Sequence, residues 1–267
     1  MQQYTVAAGS DVDIAVFDSG GDGPPVVVLH GLAGSAVEFF ETAERLSDFR
    51  MILLEARAHG RSTRHPHDVS REAHVSDVVR VVESLGCAPV ALVGQSMGGH
   101  TAMLVAAARP DLVARLVLLE AGAGGEGAGA GGVGDFFSGW PVPFADAEAA
   151  RAHLGDGPLA RAWAADLEAR DGGLWPRFDA AAMAATIAAV ERPRWREWEG
   201  VTAPTLAVYG SDGMFDEEQK ARFVARGRDV RRVDLPGASH DAHLDAFEQW
   251  IDVLGGFLRL WPVHGAA

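Results

Sequence analysis

The 267-residue sequence predicts an α/β fold, a mostly parallel sheet covered on both faces by helices, with a helical cap inserted late in the sheet. Three observations lead there. Short runs such as Val26-Val27-Val28-Leu29 and Met51-Ile52-Leu53-Leu54 have the continuous apolar texture of strands buried on both faces. They alternate with segments whose apolar residues recur at helical spacing, as Val75, Val78, Val79, Val82 and Leu85 do. One strand run, Val90 to Val93, ends in Gly94-Gln95-Ser96-Met97-Gly98-Gly99 and passes at once into the helix formers of Thr101 to Ala108.

Gln3 to Ala8 and Val12 to Phe17 read as two strands joined through Gly9-Ser10-Asp11, a hairpin signal. Pro24-Pro25 opens the strand that ends at His30 and runs into the glycine-rich bend Gly31-Leu32-Ala33-Gly34-Ser35, before a helix from about Val37 to Leu46. A strand over Met51 to Glu55 leads into Arg57-Ala58-His59-Gly60-Arg61-Ser62. Ser70 is placed to cap the next helix and Gly86 to stop it. The Ser96 turn follows, then a strand over Arg115 to Leu119. Residues 122–134 hold eight glycines in thirteen, a flexible connection. From Asp135 to Trp198 the chain is alanine-rich, helical in period, without a convincing strand, and carries Trp140, Trp163, Trp175, Trp195 and Trp198. Strand texture resumes at Pro204 to Tyr209, a helix starts near Asp216, Val230 to Leu235 is the last strand, and Leu244 to Leu260 the closing helix. Residues 1–121 and 199–267 are therefore read as one sheet domain, 122–134 as a glycine-rich connection and 135–198 as a helical cap.

Bulk properties narrow the function classes. A net charge of −14 argues against nucleic acid and against an anionic membrane surface as partners. Cys87 is the single cysteine, which excludes an intrachain disulfide and a thiolate metal cluster. No apolar run approaches the ~20 residues that span a bilayer. The start, Met1-Gln2-Gln3-Tyr4, lacks the pattern of a signal peptide, so a cytoplasmic protein is expected. Gly122-x-Gly124-x-x-Gly127 matches a dinucleotide fingerprint, but so glycine-rich a run produces the match by chance and no clear helix follows it. His240 with His243, and His65 with His67, lack a third metal ligand, so neither a metal nor a cofactor is expected.

The chemistry centres on Ser96. A serine hydroxyl becomes a nucleophile when a base adjoins it and the developing oxyanion is stabilised. A tight strand-to-helix turn lifts the hydroxyl off the sheet and leaves the first N–H groups of the helix free to donate. The motifs His30-Gly31, Arg57-Ala58-His59-Gly60-Arg61-Ser62, Gly94-Gln95-Ser96-Met97-Gly98-Gly99 and Pro236-Gly237-Ala238-Ser239-His240-Asp241, in that order, resemble the α/β-hydrolase family along essentially the whole chain. Ala58 departs from the glycine usual there.

The resemblance implies Ser96 as nucleophile, His240 as base, and the N–H groups of Leu32 and Met97 as the oxyanion hole, with His30 orienting its loop by hydrogen bonding. The acid stays open between two residues. The family's usual Gly-x-x-Asp slot reads Gly210-Ser211-Asp212-Gly213, so Asp212 arrives one residue early, and a one-residue slip in extended chain turns a side chain to the opposite side. Glu120, at the carboxyl end of the preceding strand, is the alternative and the favoured one; haloalkane dehalogenases are among the relatives that carry the acid there. Dehalogenation itself wants a carboxylate at position 96. His30, Gln95, Phe136, Phe137 and Trp140 are candidates to line a substrate pocket. The expected function is ester hydrolysis through an acyl-enzyme on a small, mostly apolar substrate. Hydrolysis of a C–C bond, lyase or biosynthetic tailoring chemistry, and a non-catalytic binding protein of the same fold are the alternatives.

Overall fold

Eight strands form one sheet in the computed structural model, which describes residues 1–9, 11–125 and 130–260. They are β1 (Gln2–Ala7), β2 (Asp13–Asp18), β3 (Pro25–Leu29), β4 (Arg50–Leu54), β5 (Val90–Gln95), β6 (Val113–Leu119), β9 (Thr205–Gly210) and β10 (Val230–Leu235), while β7 (Glu168–Arg170) and β8 (Gly173–Trp175) make a separate hairpin. The order across the sheet is β1-β2-β4-β3-β5-β6-β9-β10. β1 and β2 pair antiparallel with their neighbours, and every other pairing is parallel. The hairpin joining β1 to β2 is as expected, although Ser10 of its turn lies outside the described residues.

The two-residue period of a strand divides the apolar runs between two cores. Val27, Leu29, Ile52, Leu54, Leu92 and Leu118 face α2 (Arg71–Leu85) and α3 (Met97–Ala108). Val26, Val28, Met51, Leu53, Val93 and Val117 face α1 (Phe40–Arg45) and α11 (Phe247–Leu258). Both faces are thus covered, which is why these strands need no polar alternation. The Ser70 hydroxyl accepts from Ala73 N–H at the start of α2, and Gly86 ends it in the left-handed region at φ 59°.

Between β6 and β9 the chain leaves the sheet as α4 (Ala130–Ser138), α5 (Ala147–Leu154), α6 (Pro158–Ala165), α7 (Ala180–Val190) and α8 (Trp195–Gly200). Phe137, Trp140, Phe144, Phe178 and Met183 form a third core there, closed against Ala33 and Ala58 of the sheet's loops. The Trp163 indole N–H donates to the Ala33 carbonyl at 3.0 Å, and Arg61 bridges the buried Glu55 to Asp166, so this insertion is tied to the loops after β3 and β4.

Three details depart from the sequence reading. The β7–β8 hairpin occupies a stretch read as strand-free, because three-residue strands are too short to show alternation; its Asp171-Gly172 turn was the one signal. Trp198 packs in the sheet's own core, stacked on Phe223 with centroids 4.1 Å apart, and Trp195 joins it, so α8 packs with α9 (Glu217–Arg226). The closing helix is two, α10 (Ala242–Asp245) and α11, separated at Ala246, where ψ is 41°. No helix among the described residues is long and apolar enough to cross a membrane.

Candidate active site

Each of the four central parallel strands runs into a loop holding a non-glycine residue in the left-handed region: Ala33 after β3 (φ 58°), Ala58 after β4 (65°), Ser96 after β5 (52°) and Glu120 after β6 (49°). Such conformations cost about 1–3 kcal/mol each and survive only where the surroundings dictate them. All four lie along the carboxyl edge of the sheet, where parallel α/β folds build their sites. At Ala58 this conformation explains the family's usual glycine.

Ser96, at ψ −117°, is the sharp corner between β5 and α3. The corner presses α3 against β3 so closely that a Cβ on Gly98 would lie 2.3 Å from the Leu29 carbonyl oxygen and 2.4 Å from that of His30. Only glycine fits at 98, and that contact keeps Ser96 at the top of the sheet. Met97 opens α3, so its N–H has no intrahelical acceptor.

His240, in the loop after β10, lines the same cavity of about 110 Å³ as Ser96. The His240 Nδ1 lies 3.3 Å from Glu120 Oε2. Glu120 is fully buried, and its carboxylate also accepts from Gly210 N–H at 2.8 Å and Met214 N–H at 2.9 Å. The 210–214 turn therefore wraps around the carboxylate. Asp212 is exposed instead: its carboxylate accepts from the Ser211 hydroxyl, and its N–H donates to the Ala238 carbonyl. Gly213, the family's usual acid position, faces Glu120 so closely that a Cβ there would lie 2.1 Å from Oε1. The Glu120 carboxyl fills the space a residue-213 side chain would need, and of the two candidate acids it is Glu120 whose carboxylate lies within hydrogen-bond distance of the His240 ring.

A family model described as the alpha/beta hydrolase fold matches residues 24–247. The chain belongs to that family. Among curated relatives of this α/β-hydrolase, the 2-(acetamidomethylene)succinate hydrolase of Mesorhizobium japonicum is 28% identical over 82% of each chain. The mouse sn-1-specific diacylglycerol lipase ABHD11 is 44% identical over 36% of this chain, and the chain spans about a third of that relative's length. In structure, E-2-(acetamidomethylene)succinate hydrolase superposes with TM-score 0.86 at 23% identity, covering 97% of this chain and 99% of the other. A marine microorganism esterase does so with TM-score 0.79 at 24% identity, covering 91% and 98%. Family membership supports a hydrolase; the names of the relatives span several bonds.

The remaining sequence candidates fall into two groups. Leu32 sits in the loop after β3, where its side chain packs against the insertion's core. His30 is buried: its Nε2 accepts from Ala56 N–H at 3.0 Å, which leaves Nδ1–H to donate to the Gly31 carbonyl at 2.7 Å. It braces two loops and does not line the Ser96 cavity. Gln95 is a brace as well. Its amide donates to the His240 carbonyl at 3.2 Å and lies 3.4 Å from Asp241 Oδ1, while its Oε1 rests against Gly31.

The aromatic pocket wall expected from Phe136, Phe137 and Trp140 is corrected: none lines this cavity. Phe137 and Trp140 are buried in the insertion's core, and Phe136 is 54% exposed. Aromatic side chains of that size close a small helical core before they can face a site. The wall comes from Ile187 and Val190 of α7, Met214 and Phe215 of the loop after β9, and the segment after Glu120. Of the apparent dinucleotide fingerprint, Gly122 and Gly124 line the cavity, and Gly127 lies outside the described residues.

His100 was missed. It lies four residues after Ser96, one helical turn along the same side of α3, and lines the cavity. That spacing was the available signal.

Proposed function

We propose that this α/β-hydrolase is a serine hydrolase cleaving an uncharged carboxylic ester. Ser96 attacks the carbonyl, His240 takes the hydroxyl proton and returns it to the leaving group, and Glu120 holds the Nδ1–H tautomer and offsets the imidazolium charge. The N–H groups of Leu32 and Met97 receive the oxyanion. His240 then activates the water that releases the acyl group. The observation carrying this reading is the Glu120–His240 hydrogen bond, made by a ring that shares its cavity with Ser96.

An apolar cavity with no arginine or lysine on its wall, among the described residues, suits a neutral substrate. The insertion from residue 135 to the end of α7 acts as the cap that encloses it, and the protein works in the cytoplasm without a cofactor. A second reading, cleavage of an amide or C–C bond by the same residues, rests on the 28% identity with the 2-(acetamidomethylene)succinate hydrolase over 82% of each chain. A serine-directed fluorophosphonate and a series of p-nitrophenyl esters test the proposal. Labelling and turnover are both expected in the parent protein and absent in Ser96→Ala; an unlabelled, inactive parent protein would favour the non-catalytic binding role.

A further inference from the structure

The Ser96 cavity contains one buried imidazole that the proposed chemistry does not use. His100 is 1% exposed and lines the cavity one helical turn beyond Ser96; the Ala123 carbonyl lies close enough to draw on one ring N–H, and the other ring nitrogen has no partner among the described residues. Its Nε2 faces Gly124, where a Cβ would come within 3.1 Å, so the ring is wedged between α3 and the segment after Glu120. Nearly all buried polar groups in folded proteins are hydrogen-bonded, and an open ring nitrogen in a cavity wall is a place where a ligand atom can complete the bond.

The charge state narrows what that atom can be. Burial, reinforced by the nearby Arg71 and Arg194 guanidinium groups, pushes the His100 pKa down to about 3, against a smaller opposing pull from the Ala123 carbonyl. The ring is neutral, with one N–H donor and one bare nitrogen acceptor. It cannot neutralise a carboxylate, and Glu120 on the wall is already paired with His240. A hydroxyl is matched by either tautomer of the ring, because it both donates and accepts.

We propose that His100 is a specificity residue that hydrogen-bonds an uncharged oxygen on the acyl part of the substrate, so that this enzyme prefers hydroxyl-substituted acyl esters over plain or anionic ones. This rests on the serine-hydrolase reading above. Both partners of the bond sit in an apolar cavity, so an analogue without the hydroxyl strands the imidazole.

The test compares kcat/KM for p-nitrophenyl butyrate, the 2- and 3-hydroxybutyrates and the hemisuccinate. At least one hydroxybutyrate is expected to exceed butyrate by about tenfold, with the hemisuccinate poorest. In His100→Leu the hydroxy-to-plain ratio should fall to near one, and His100→Gln, which keeps a donor and an acceptor, should retain part of it. Fluorophosphonate labelling of Ser96 in each variant shows that the site is intact. A parent protein that labels but shows no hydroxyl preference, a ratio untouched by His100→Leu, or a favoured hemisuccinate overturns the role of His100 alone. Absence of labelling in the parent protein overturns the hydrolase reading beneath it.

Discussion

Glu120 and Gly213 lend themselves to an exchange of the acid between two strand ends. With Glu120 present, a Cβ at position 213 would stand 2.1 Å from Oε1 and 2.5 Å from Cδ, so no side chain fits there. Shortening Glu120 to alanine empties that space. An aspartate at 213 then carries its carboxyl carbon one bond, about 1.5 Å, beyond a Cβ that already reaches the present carboxylate. Gly213 is not in the left-handed region, so the new side chain brings no backbone strain.

Glu120→Gln should lower kcat/KM about 10³- to 10⁴-fold, or about 4–5.5 kcal/mol, by removing the charge that fixes the imidazole tautomer. Glu120→Ala should lose at least as much, because the Gly210 and Met214 N–H groups also lose their acceptor. Gly213→Asp alone crowds two carboxylates into one site and should lose activity on the same scale. The double variant Glu120→Ala/Gly213→Asp should recover about 10- to 100-fold over Glu120→Ala, short of full activity because a displacement near 1 Å is itself costly. The assay is p-nitrophenyl ester hydrolysis, with thermal melts to show that each variant is folded. A Glu120→Gln enzyme within about threefold of the parent protein, or a folded double variant no better than Glu120→Ala, would refute the assignment of the acid.

Two further outcomes follow from the structure. His59 and His100, both buried, have pKa values near 3 in the folded protein, with burial the leading cause, and His74 is also pushed well down by burial. Because the unfolded chain takes up those protons first, stability is expected to fall as pH drops below about 6.5. His59 and His100 together account for about 4 kcal/mol lost by about pH 5, partly offset at lower pH by Glu55 and Asp77, whose carboxyls burial raises. Denaturant unfolding at neutral and mildly acid pH measures it, and equal stability at both would contradict the neutral buried imidazoles. Gln95→Ala removes the amide that links the loop holding Gly31 to the His240 carbonyl, and should lower kcat about tenfold with little change in KM; a KM effect alone would instead place Gln95 against the substrate.

Local features of this chain were legible where they depend on neighbours in sequence. The β-branched runs, the Ser70 and Gly86 helix limits, and the sharp turn at Ser96 are decided within a few residues by sterics and backbone hydrogen bonding, so their residue types announce them. The β7–β8 hairpin and the break at Ala246 were not legible, because elements so short carry no periodicity of their own.

The site was legible in its residue types and illegible in its contacts. Ser96 and His240 are 144 positions apart in the sequence, and only the order of the parallel strands sets them on one cavity. Sequence left Glu120 and Asp212 both open as the acid; which carboxyl meets the imidazole depends on the direction of a side chain one residue along an extended turn. The same holds for the pocket wall, where Phe137 and Trp140 bury against each other while Ile187, Val190 and His100 face the cavity. The sequence by itself determined the fold and the residue types available at the carboxyl edge of the sheet. The tertiary structure alone decided which of them meet there, because packing between segments distant in the chain leaves no local pattern to read.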